Sequence, residues 1–156
     1  MSVNALIAGR TPQDAASDAL RARNAGFACV KLKVASASIE DDVARIAAVR
    51  SALGAGIGIR LDANGGWKVA DAQRALARLE PFGIETIEQP VAADDVAGLA
   101  RVRAGTCIPV AADEAACDEE AIDRLLDRGA VDVIVLKPAA LGGLAPALRA
   151  AVRVRA

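Results

Sequence analysis

Apolar residues cluster in six short blocks along the chain, separated by stretches in which they recur every three or four positions. The blocks predict strands at Val3–Ala8, Ala28–Val34, Ile57–Ala63, Ile84–Glu88, Ile108–Ala112 and Val131–Leu136. They read as near-continuous apolar runs, as parallel strands covered on both faces do. The intervening stretches predict helices, several with clear start signals. Thr11-Pro12 with Asp14, Ser38 with Asp41, and Asp118 each place a capping oxygen or an early acid before an apolar stripe. Gly26, Gly54, Gly83 and Gly129 fall near predicted helix ends, where a left-handed residue is easiest.

Alternating strands and helices predict an α/β fold with a parallel sheet. An open doubly wound sheet and a (β/α) barrel compete, and the polar residues at the strand ends decide between them. Lys31 and Lys33 lie in VKLKV, Asp62 in IRLDAN, Glu88 in IETIEQP, Asp113 in IPVAADE and Lys137 in VIVLKP. From Lys33 onward they are spaced by 29, 26, 25 and 24 residues, about one strand-and-helix unit each. In an open sheet, ends four strands apart lie roughly 19 Å from one another, too far for one small substrate. In a barrel of the TIM type the same residues surround one mouth at the C-terminal strand ends. The barrel is therefore expected. Such barrels have eight strands in about 250 residues, so the chain reads as an incomplete one of about six βα units.

Composition narrows the chemistry. The 156 residues carry a formal net charge of -1 without long runs of one sign, which suggests no nucleic-acid or membrane partner. Trp67, Phe27 and Phe82 are the only aromatics, too few for a base-stacking platform. No apolar run approaches the ~20 residues of a membrane span, and MSVNALIAGR lacks the pattern of a signal peptide. Three cysteines without a CxxC pair suit packing in a reducing, cytoplasmic setting. The absence of histidine excludes Ser-His-Asp, Cys-His and HExxH sites, leaving acid-base work to Lys, Asp or Glu.

Asp62, Glu88 and Asp113 are hard oxygen donors with no nitrogen or sulfur beside them, a set that suits Mg²⁺ or Mn²⁺. Lys31 and Lys33, two apart on a strand, share a face. Mutual repulsion and a nearby cation are expected to lower their pKa towards use as a base. Asn64 shares the face of Asp62 and is a candidate for bonding a ligand or an amine. Glu114 is either a supporting acid or an outward helix-start residue. Gly142-Gly143 reads as a tight turn feeding a helix N-terminus, where a substrate carboxylate could bind. Trp67 reads as packing, and Arg60 as an inward partner or a surface ion pair. A divalent cation beside a lysine suits removal of the proton next to a substrate carboxylate.

The ordered series VKLKV, IRLDANGGW, IETIEQP, IPVAADEA and VIVLKPAALGG resembles the enolase superfamily, in its muconate-lactonizing and mandelate-racemase-like branch. The resemblance implies Mg²⁺ on Asp62, Glu88 and Asp113, Lys33 as base, Lys31 as its partner, and Lys137 as the ammonium on the opposite side. DANGGW, EQPVA, AADEA and LKPAALGGL are most similar to the o-succinylbenzoate synthases of menaquinone biosynthesis. That implies a magnesium-dependent carbon-oxygen lyase acting on a small-molecule carboxylate. N-acylamino acid racemases, dipeptide epimerases and muconate cycloisomerases share these residues. The family's N-terminal capping domain and last two barrel strands are absent, so residues 1–156 are expected to be a partial barrel domain. A Schiff-base lysine enzyme and an inactive truncated fragment, which would form oligomers through its open edges, are the remaining readings.

Overall fold

The computed structural model describes residues 3–154. Six parallel strands form one sheet: β1 (Ala5–Ile7), β2 (Cys29–Lys33), β3 (Gly58–Asp62), β4 (Ile84–Glu88), β5 (Val110–Ala112) and β6 (Val133–Ile134). Six helices alternate with them: α1 (Pro12–Asn24), α2 (Ile39–Leu53), α3 (Val69–Leu79), α4 (Val96–Ala104), α5 (Glu119–Asp127) and α6 (Leu144–Val154). The sheet order is β1-β2-β3-β4-β5-β6, each strand beside its neighbour in sequence. A doubly wound sheet reverses direction at a switch point, and this one does not. The sheet is an arc of a (β/α) barrel that does not close.

All six predicted strands form, but the outer ones are shorter than expected. Only Ala5–Ile7 and Val133–Ile134 belong to the ladder at the two edges. Each edge strand pairs on one side alone, β1 with β2 and β6 with β5, although Asp132 and Val135 beside β6 still donate to the carbonyls of Val110 and Ala112. The helix starts match their signals. Thr11, Ser38 and Asp118 accept from the amides of Asp14, Asp41 and Ala121, satisfying first-turn donors. Gly83 ends a short 3-10 turn at φ 62°, a conformation that a Cβ would strain. The predicted last helix forms to Val154; its final two positions lie outside the described residues, as do the first two residues of MSVNALIAGR.

The core lies between the outer face of the sheet and the helices. Val30, Leu32, Ile59, Leu61, Ile87 and Val110 are fully buried against Ala15, Ile46, Val49, Leu76, Leu99 and Leu125. Burial of each large side chain contributes about 1.5–3 kcal/mol. Burial on both faces, the other expectation from the apolar runs, does not hold. The inner face carries Lys31, Lys33, Arg60 and Glu85, with Leu6 and Val133 exposed. An arc of six strands cannot wrap that face as a closed barrel would.

One irregularity places the site. Ile59 pairs with Ile84, but Arg60 pairs with Thr86, so β4 carries one extra residue, Glu85. Such a bulge re-aims the residues that follow it. Without it Asp62 would lie beside Ile87; with it Asp62 lies beside Glu88. The Glu85 carboxylate turns across the inner face to Arg60, with Nε–Oε2 at 2.9 Å. A Cβ on Gly58 would meet Glu85 Oε1 at 2.0 Å, so any larger residue there would push the Glu85 carboxylate aside from this position.

Candidate active site

Lys33, Asp62 and Glu88 form one register row across β2, β3 and β4. The row opens into a cleft of about 480 Å³ at the C-terminal strand ends. Asp113 and Lys137, beyond β5 and β6, line the same cleft, as do Lys31, Asn64 and Glu114. Eight of the ten residues expected from the sequence therefore meet in one place. Gly142 and Gly143 form the turn into α6, with positive φ, and do not line the cleft.

The charges are arranged as ion pairs. Lys31 Nζ lies 2.7 Å from Glu88 Oε1 and 3.0 Å from Asp62 Oδ2. Lys137 Nζ lies 2.5 Å from Asp113 Oδ2. Asp62 and Asp113 are buried, so each needs a counter-charge close by. Among the described residues the carboxylates share the cleft without drawing together into a three-ligand cation cluster. Lys33 forms no ion pair among the described residues, and its side chain is exposed to the cleft.

Titration follows from these pairs. Burial pulls Lys31 down, but hydrogen bonds and charge from Glu88 and Asp62 outweigh it and hold the ammonium above the ordinary lysine range. The expected lowering is thus reversed at Lys31, because two carboxylates hold its ammonium. Lys137 is raised by its hydrogen bond to Asp113. Burial raises Glu88, Lys31 opposes this, and the charges of Asp62 and Asp113 add to it.

Asn64 and Glu114 pair with each other. Asn64 Nδ2 donates to Glu114 Oε1 at 3.0 Å, bridging the ends of β3 and β5. Asn64 also donates its backbone N–H to Asp62 Oδ1 at 3.1 Å. Its side chain thus holds an acid rather than an amine, and Glu114 faces inward. Trp67 is buried, as expected of packing, and its backbone pairs with Val91. Arg60 is an inward partner, of Glu85. Cys29 is buried, whereas Cys107 and Cys117 are exposed.

Gln89 is a site residue that sequence reasoning missed. It is 1% exposed and has φ 41°, unusual for a residue with a side chain. Its Oε1 accepts from the amides of Asp113 (3.1 Å) and Ala115 (3.0 Å), and its Nε2 donates to the Val91 carbonyl at 2.9 Å. One side chain thus ties the strand that ends in Glu88 to the strand that ends near Asp113. The available signal was an amide wedged between a strand-end acid and Pro90.

Asp62, Glu88 and Asp113 bring an all-oxygen donor set to one cleft, the chemistry a hard divalent cation favours, although as they stand they are drawn to lysines rather than to one another. Asp113 Oδ1 is buried without a hydrogen-bond partner among the described residues. An orphaned carboxylate oxygen is costly, and an all-oxygen donor set suits Mg²⁺ or Mn²⁺. Lys31 already pairs with Asp62 Oδ2 and Glu88 Oε1, and Lys137 with Asp113 Oδ2, so a cation here competes with both ammonium groups. Among the described residues, no helix is long and apolar enough to cross a membrane.

Comparison with known proteins agrees with the fold. The chain is 42% identical over 151 residues to the o-succinylbenzoate synthase of Thermobifida fusca, covering 96% of this chain and 46% of that protein. It is 37% identical over 139 residues to the L-Ala-D/L-Glu epimerase of Bacillus subtilis, covering 88% of this chain and 38% of that one. The dipeptide epimerase of Cytophaga hutchinsonii, solved with Mg and D-Ala-L-Val, superposes with a TM-score of 0.93 at 34% identity. That match covers 99% of this chain and 41% of the other. The chain spans less than half the length of these relatives. The family profile described as Enolase C-terminal domain-like matches residues 14–156, and the chain belongs to that family.

Proposed function

We propose that the cleft removes the proton next to a substrate carboxylate, and that the reaction it serves is the dehydration carried out by o-succinylbenzoate synthases. The observation that carries this reading is the difference between the two flanking lysines. Lys33 stands in register with Asp62 and Glu88 without an ion pair, whereas Lys137 is bound to Asp113. An amine without a partner suits a base, and a paired ammonium suits a fixed positive charge. Asp62, Glu88 and Asp113 would hold Mg²⁺ or Mn²⁺, which when bound supplies positive charge to the substrate carboxylate.

Lys33 takes the proton from the carbon beside that carboxylate. The electron pair it leaves becomes the new carbon-carbon double bond as hydroxide departs from the neighbouring carbon. Lys137 keeps its proton and faces the developing negative charge from the other side. Asn64 and Glu114 orient the carboxylate row from above. In this proposal residues 1–156 are part of a longer cytoplasmic enzyme with a capping domain and two further barrel strands.

A second reading is epimerisation of an acylated amino acid or dipeptide. It is favoured by the presence of a lysine on each side of the row, one to remove the proton and one to return it. Incubation with Mg²⁺ in deuterium oxide separates the two. Loss of water from a hydroxycyclohexadiene carboxylate, with no exchange into L-Ala-L-Glu, supports dehydration; deuterium entering the dipeptide with inversion supports epimerisation. Neither reaction, for the chain with the continuation of its reading frame, would sink both.

A further inference from the structure

Two buried charges lie outside the cleft. Asp42 and Arg45, about one turn apart on α2, are 1% and 7% exposed, and Arg45 Nη1 lies 3.0 Å from Asp42 Oδ1. Neither lines the cavity that holds Lys33, Asp62 and Glu88. A buried ion pair is weak evidence of added stability, because desolvation offsets most of the attraction. The contacts of this one point to another role. We propose that Asp42 and Arg45 are positioning residues that aim Lys33, by holding the backbone on both sides of Val34. The proposal deepens the function above and rests on its assignment of Lys33 as the base.

Lys33 depends on its backbone for direction. Its amine forms no ion pair among the described residues, so no partner side chain fixes it. Arg45 Nη1 donates to the Lys33 carbonyl at 3.2 Å. The N–H of the same peptide unit, on Val34, donates to the Asp62 carbonyl at 2.9 Å. That peptide is thus held at one end by α2 and at the other by β3. The next N–H, on Ala35, donates to Asp42 Oδ2 at 2.8 Å. Arg45 Nε donates to the Gly9 carbonyl at 3.2 Å, which fastens the loop after β1 to the same point.

The segment so held is strained. Ala35 has φ 66°, in the left-handed region that a residue with a Cβ seldom occupies. Its turn brings it against Gly66, where an added Cβ would meet the Ala35 Cβ at 2.9 Å. Alanine does not favour this conformation by itself, so its surroundings must impose it. The bond from the Ala35 amide to Asp42 does so. A relaxed Ala35 would free that amide and let the Lys33–Val34 peptide rotate, carrying the Lys33 side chain out of line with Asp62.

The test replaces the pair by apolar residues, Asp42→Leu with Arg45→Met, in the chain with the continuation of its reading frame. Such swaps of buried pairs are often neutral or stabilising, so the melting temperature is expected to hold or rise. The kcat for dehydration of the hydroxycyclohexadiene carboxylate should fall about tenfold or more with KM little changed, as misalignment of a base requires. A crystal structure should show Ala35 at negative φ and the Lys33 carbonyl turned. Adding Ala35→Gly, which removes the strain, should restore most of the lost kcat. Asp42→Asn, which keeps an acceptor for the Ala35 amide, should lose less than the apolar pair. If the apolar pair does not fold, Arg45→Lys takes its place, since it keeps a cation for Asp42 but lacks the fork that reaches both carbonyls. A positive φ at Ala35 that survives the apolar pair, an unchanged kcat, a change in KM alone, or no recovery with Ala35→Gly overturns the proposal. Wild-type protein that does not dehydrate the compound counts instead against the proposed function, while φ at Ala35 and the direction of the Lys33 carbonyl still decide the clamp.

Discussion

Gln89 holds Asp113 from the neighbouring strand: the Asp113 backbone amide donates to Gln89 Oε1 at 3.1 Å, 24 residues away in sequence. Because Gln89 follows Glu88 directly, its side chain sets the spacing between two of the three carboxylates. Its backbone is strained at φ 41° in order to do so.

Gln89→Leu should leave the amides of Asp113 and Ala115 and the carbonyl of Val91 unpaired, at a cost of about 2–4 kcal/mol. Urea denaturation measures that loss, and Mn²⁺ binding by electron paramagnetic resonance should weaken at least tenfold. Gln89→Glu is the discriminating variant. A protonated Glu accepts and donates where the amide does, whereas an ionised one sets a charged oxygen against the Val91 carbonyl, to which it can no longer donate. Its folded pKa is expected to lie above the ordinary glutamate value, so its deficit should be smallest near pH 4 and grow as pH rises. A deficit independent of pH would argue against this role.

Lys31 and Lys137 are both held above the ordinary lysine value of 10.5. Lysines raised in the folded state add stability that is fully present below the unfolded value and lost as pH rises through the folded one. The native state should therefore weaken at alkaline pH, beginning near 10.5. Lys31→Met should remove part of that alkaline loss and cost about 1–3 kcal/mol at neutral pH, since Asp62 is buried and Glu88 half-buried while Lys31 is partly exposed. Mg²⁺ should raise the melting temperature of Lys31→Met more than that of the wild type, because the competing ammonium is gone.

The two flanking lysines are separated by stereochemistry. Lys33→Met should abolish deuterium exchange into the substrate on the Lys33 side, by 10²-fold or more. Lys137→Met should slow dehydration without abolishing exchange if Lys137 acts as a fixed charge. Complete loss of exchange from one enantiomer alone, read by mass spectrometry and chiral separation, would mean that Lys137 is a second base.

Much of the site was legible because backbone alternation and strand spacing are local rules. VKLKV, IRLDAN and VIVLKP place charges at strand ends, and parallel neighbours bring those ends together. The caps at Thr11, Ser38 and Asp118 were readable for the same reason. Pairing was not. That Lys31 would take both Asp62 and Glu88, and that Asn64 would take Glu114, depends on side chains up to 57 residues apart. The bulge at Glu85 was equally hidden, since it appears only when β3 and β4 are set in register.

Leu144, Leu148 and Val152 form one stripe on α6 and are 73%, 66% and 72% exposed. Together with the free edges of β1 and β6 they should drive association of the isolated chain. Light scattering is expected to show species larger than a monomer, and Leu148→Lys should shift the distribution towards the monomer. A monodisperse monomer at all concentrations would rule this out.

The unbroken order of the strands has a consequence for how the molecule comes apart. Each unit leans chiefly on the ones before and after it, so opening should begin at an end of the row rather than in its middle. The two-residue strand β6 and α6, which is joined to α5 by surface ion pairs and two buried alanines, make a weak terminus. Amide exchange should thus be fastest there. The cation at Lys137 would depart while Lys33, Asp62 and Glu88 still stand in line, leaving an acid-base pair with only one side of its reaction chamber.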